Sequence, residues 1–167
     1  MTGEYSNYQD RFITLANLNL PELPKILEVS GDKLVIKPEF HIALLAVERV
    51  AEIINKASAD MLRQEIVAEF DKFVKDRPLT DYELLPGDLR LVRVNGNKTI
   101  VVMAEMPRIQ ELFDTLGKKY KTELPAQPTH ITLYTLPDDT FGIPIFSYDD
   151  LEKISQPIEL PEIRELL

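Results

Sequence analysis

The sequence predicts an α+β fold of antiparallel strands flanked by helices, and three observations carry that expectation. Two short apolar stretches, Phe40 to Ala46 and Thr129 to Thr135, read as buried strands. Asn95-Gly96 divides two further apolar runs, and both turn positions tolerate positive φ, as a tight hairpin requires. Residues 47–75 and 107–121 carry apolar side chains at helical spacing. A chain of 167 residues is long enough to bury a real core as one domain, or as one domain of two small lobes.

Residues 1–10 are polar and are expected to be loose or weakly attached. Arg11 to Leu20 reads as a first strand, ended by the Pro21-Glu22-Leu23-Pro24 segment. Leu27 to Val29 and Leu34 to Ile36 read as short strands around a Ser30-Gly31-Asp32 turn. Pro38 resets the chain before the strand that begins at Phe40. In the helical region Val50, Ile53 and Ile54 supply one apolar stripe, and Leu62, Ile66, Phe70 and Phe73 continue it. A break is expected near Ala57, with Ser58 capping the second helix. Leu89 to Val94 and Thr99 to Met103 are the arms of the Asn95-Gly96 hairpin. Pro107 suits the first turn of the next helix, and Lys118, Lys119 and Lys121 suit its end, where the dipole favours cations. After the strand ending at Thr135, Pro137-Asp138-Asp139 makes a turn. Ser147-Tyr148-Asp149-Asp150 then has the form of a cap and acidic first turn for a short helix through about Ile154. Residues 156–167 form a proline-interrupted tail that packs on the body or on a partner.

Apolar content of 44% with 28% charged residues is ordinary for a globular chain, and no stretch approaches the apolar length of a membrane span. The N-terminus has neither the basic region nor the apolar run of a secretory signal. There is no cysteine, which excludes disulfides, thiolate chemistry and cysteine-based zinc sites. A cytoplasmic setting is the default expectation. The net charge of −9 and pI near 4.8 argue against an extended RNA or DNA footprint, since gripping phosphates in number takes a basic face. A small nucleotide or an RNA terminus in a local pocket remains compatible. No metal spacing, phosphate-cradling glycine cluster or serine-nucleophile pattern is present, so no cofactor is expected.

The chemistry-bearing residues are the two histidines, the only ones in the chain. His41-Ile42-Ala43-Leu44 and His130-Ile131-Thr132-Leu133 each begin near the start of a predicted strand. Alternation places His41, Ala43 and Leu45 on one face, and His130, Thr132 and Tyr134 on one face. An imidazole and a hydroxyl two residues apart can then reach one pocket from one strand.

The paired pattern resembles the two-histidine (2H) phosphoesterase superfamily, marked by His-x-Thr/Ser-hydrophobic occurring twice. That superfamily includes 2′,3′-cyclic phosphodiesterases, the bacterial proteins called 2′-5′ RNA ligases, and phage enzymes that open cyclic nucleotide signals. The second tetrapeptide matches in full; the first carries Ala43 where the family has Thr or Ser. The resemblance covers roughly residues 11–155 and implies two antiparallel lobes with flanking helices around a central cleft. It implies His41 and His130 as general acid and base, in unassigned order, and Thr132 as a phosphate donor, with no metal. Tyr134, on the same predicted face, is a possible substrate contact. Three functions follow: a metal-independent phosphoesterase, weakened by Ala43; a degraded module that binds a nucleotide or phosphate without turnover; or an interaction protein whose histidines are structural.

Overall fold

The computed structural model describes residues 4–55, 59–139 and 142–167. The nine strands among these residues hydrogen-bond into one antiparallel sheet, where two antiparallel lobes around a cleft were expected. They are β1 (Glu4–Tyr8), β2 (Phe12–Ala16), β3 (Ile26–Val29), β4 (Asp32–Ile36), β5 (Ile42–Ala46), β6 (Glu83–Val94), β7 (Asn97–Glu105), β8 (His130–Thr135) and β9 (Ser155–Pro157). The main path runs β1-β2-β5-β8-β7-β6-β9, and the β3–β4 hairpin joins β8 through β4. The sheet is nevertheless nearly divided at its centre. Ile42 with Ile131 is the one register pair joining β5 to β8 among the described residues.

One face of the sheet packs against helices α1 (Val47–Ile54), α2 (Ala59–Asp76) and α3 (Ile109–Tyr120). Val50, Ile66, Phe70, Leu112 and Leu116 meet Ile13, Leu15, Ile42 and Ile131 there. Each such side chain, fully withdrawn from water, contributes on the order of 1.5–3 kcal/mol. On the opposite face Val92, Val101 and Met103 pack under Ile143, Ile145 and Leu151, the last from α4 (Tyr148–Ile154). No helix among the described residues is long and apolar enough to cross a membrane.

Local signals account for several elements. Asn95 and Gly96 both have positive φ between β6 and β7. Ser147 caps α4, its Oγ accepting from the Asp150 N–H at 3.0 Å. Lys119, at the end of α3, pairs with Glu69 at 2.7 Å. The expected break near Ala57 and the Ser58 cap lie outside the described residues.

One stretch differs from the sequence expectation. Residues Glu4–Tyr8 are not loose but form β1, paired with β2 through a turn in which Gln9 and Asp10 both have positive φ. Asn7 ties that turn by accepting from the Asp10 N–H at 2.9 Å. Tyr5 anchors the strand: its ring meets Phe70 edge-on, and its hydroxyl oxygen accepts from the Leu79 N–H. The 156–167 tail packs on the body, with β9 pairing β6 and Ile163 of α5 (Pro161–Arg164) fully buried in the main core.

Candidate functional site

β5 and β8 each contain a one-residue bulge, and it falls at the same motif position in both. Ile13 pairs with Leu45 and Thr14 with Ala43, leaving Leu44 unpaired. Likewise Ile100 pairs with Tyr134 and Val101 with Thr132, leaving Leu133 unpaired. A bulge inserts a residue and re-aims the side chains beyond it. In β5 the core therefore takes Ile42, Leu44 and Leu45, while Ala43 and Ala46 face a cavity. In β8 the core takes Ile131, Leu133 and Tyr134, while His130 and Thr132 face the same cavity.

Tyr134 is thus a correction to the sequence reading. It is wholly buried, and its hydroxyl donates to the Pro24 carbonyl at 2.9 Å. It does not reach the cavity, and neither does Leu45, because the alternation that grouped them with the histidines stops at each bulge.

The cavity holds about 490 Å³ and lies on the sheet face opposite the main core. His41, Ala43, His130 and Thr132 all line it. Ile42 and Ile131, which directly follow the two histidines, are register partners, so His41 and His130 reach the one cavity from antiparallel strands.

The two imidazoles are held differently. His130 is 8% exposed, and its Nδ1 lies 3.3 Å from the Pro128 carbonyl, which can only accept. Nδ1 carries the proton in that contact, leaving the lone pair on Nε2. Burial pushes the His130 pKa down to about 4; the Pro128 contact opposes the shift and the nearby His41 adds to it. His41, half-buried just before β5, is also shifted down. Burial is the main cause and the Lys37 charge the second, with Glu39 pulling the other way. Both rings face an occupant as neutral groups near pH 7.

Several cavity residues were not legible in the sequence. Lys37 is buried beside His41, and burial lowers its pKa against the opposing charges of Asp139 and Glu39. Its backbone N–H donates to Leu133 O at 2.8 Å, tying it to the bulge of β8. Gln127 does the same for β5: its Oε1 accepts from Ala46 N–H at 2.9 Å and its Nε2 donates to Ala43 O at 2.8 Å. Those two backbone groups bracket the bulge. Gly142 lies over Thr132, where an added Cβ would stand 3.3 Å from Oγ1, and its φ of +80° suits glycine. Phe12 and Phe146, their rings near parallel with centroids 6.3 Å apart, give the cavity an aromatic wall. Thr14, a hydroxyl among the apolar residues of β2, also lines the cavity.

Among the described residues no group of three or more His, Asp or Glu is placed to hold a metal ion. Comparison with family models, curated proteins and solved structures gives no match to this chain.

Proposed function

We propose that this cavity is the active site of a 2H-type phosphoesterase that opens a 2′,3′-cyclic or 2′-5′ phosphodiester of a small nucleotide or RNA end. The observation that carries the reading is the meeting of His41 and His130, from the two matching tetrapeptides, in one cavity with Thr132. The volume falls in the range of small-molecule sites, and the Phe12–Phe146 wall offers a face on which a base can stack.

In this reading His130 is the base. Its Nε2 takes a proton from water as the water oxygen attacks phosphorus. The anionic substrate raises the pKa of the nearby imidazoles, and His41, the less buried, takes up a proton on binding. As the bond from phosphorus to one ribose oxygen breaks, His41 gives that oxygen its proton, and the product is a phosphomonoester. Thr132 and Lys37 steady the phosphate oxygens.

The test is hydrolysis of 2′,3′-cyclic mononucleotides with a chelator present. Turnover that survives the chelator and shows a bell-shaped pH profile supports the reading; activity that needs an added divalent ion contradicts the mechanism. The methyl of Ala43 in the cavity favours a second reading, a site that binds a nucleotide without turnover. Measurable nucleotide binding with no product would select it.

A further inference from the structure

We infer that Thr14 gives the bound phosphate the hydrogen-bond donor that Ala43 lacks, an inference that rests on the phosphoesterase reading of this cavity. Thr14 is the register partner of Ala43 on the adjacent strand β2, so the two side chains stand next to each other on one face. That face is the cavity face: Phe12 and Thr14 line the cavity, while Ile13 and Leu15 lie in the main core. Thr14, Ala43 and His130, from β2, β5 and β8, all line that one cavity. A phosphate over the Ala43 methyl would have the threonine of the neighbouring strand beside it and the His130 imidazole in the same cavity.

The residue is 3% exposed, and its Oγ1 is buried with no hydrogen-bond partner among the described residues. A buried hydroxyl left unpaired is destabilising, and valine would fill the same shape without that cost. A phosphate oxygen, charged and acceptor-only, is the group that would satisfy it. In the 2H pattern the donor comes from the motif strand itself; here the neighbouring strand supplies it.

The experiment is a mutant cycle read by turnover of a 2′,3′-cyclic mononucleotide and by affinity for inorganic phosphate. Thr14→Val is expected to lower kcat/KM by roughly ten- to a hundredfold, somewhat less than an oxyanion-hole donor because the phosphate is charged before reaction. Thr14→Ser should stay near wild type. Ala43→Thr restores the motif hydroxyl, so Thr14→Val should cost little when added to it. The Tm of Thr14→Val should not fall. If Thr14→Val turns over like wild type while His130→Ala is inactive, the inference fails and the phosphoesterase reading stands. A loss that Ala43→Thr does not relieve, with a lowered Tm, assigns Thr14 to packing and also overturns the inference. If wild type shows no turnover, and phosphate affinity is the same in wild type and His130→Ala, the reading fails and the inference with it.

Discussion

The two motif strands share a tetrapeptide pattern and a bulge, but they sit differently in the sheet. β8 is an interior strand with β5 on one side and β7 on the other, and β4 pairs its far end. Its histidine is buried, oriented by Pro128, and far below its ordinary pKa. β5 touches β8 at one pair and depends on the Gln127 side chain to brace its bulge. Its histidine precedes the strand, half-buried, and among the described residues no hydrogen bond orients the ring. Such a difference suits two roles. A ring fixed in one tautomer keeps its lone pair aimed; a ring nearer solvent can exchange protons between turnovers.

Removing the deep half should have the largest effect. His130→Ala is expected to lower turnover of a 2′,3′-cyclic nucleotide by on the order of 10²–10⁴-fold, with no recovery in added imidazole. His41→Ala should also lose activity, but imidazole should restore part of it through the more open side. Equal rescue of both variants would break the contrast.

Acid stability should separate the halves next. The His130 pKa is about 4 in the fold against an ordinary 6.5, so the unfolded chain binds more protons between those values. The stabilisation is full above 6.5 and is lost as pH falls towards 4, by roughly 3 kcal/mol. Urea unfolding of wild type and His130→Gln across that window checks it. The substitution should flatten the acid limb; an unchanged limb would mean that His130 does not titrate as its burial demands.

Bracing of the shallow half is tested at Gln127. Gln127→Leu strands the Ala46 N–H and the Ala43 carbonyl at the bulge, and is expected to cost about 2 kcal/mol in urea unfolding. It should lower activity through His41, so the pH limb assigned to the acid should move more than that assigned to the base. The smallest effect belongs to Ala43→Thr. If Thr14 already serves the phosphate, the restored hydroxyl should raise turnover by less than about tenfold, or roughly 1.4 kcal/mol. Threonine is at home in a strand, so folding should not obscure the comparison.

Local chemistry was legible wherever a few neighbouring residues decide the outcome. Asn95-Gly96 makes its turn because both residues accept positive φ, and Ser147 caps α4 because its oxygen can meet the Asp150 N–H. The apolar run around each histidine forms a strand for the same kind of reason, and the repeat of the tetrapeptide singled out His41, His130 and Thr132. Tertiary structure decided what depends on a partner strand. A period-two reading assumes an unbroken ladder; whether Leu44 and Leu133 bulge is set by the registers of β2 and β7, which lie elsewhere in the chain. Those two bulges took Leu45 and Tyr134 into the core. In the same way Glu4–Tyr8 became a strand because Phe70 and Leu79 hold Tyr5, and Thr14, Lys37 and Gln127 became cavity residues only once strands distant in sequence stood side by side. Composition and spacing report on a residue and its near neighbours, whereas a site is made of contacts that the chain reaches only by folding.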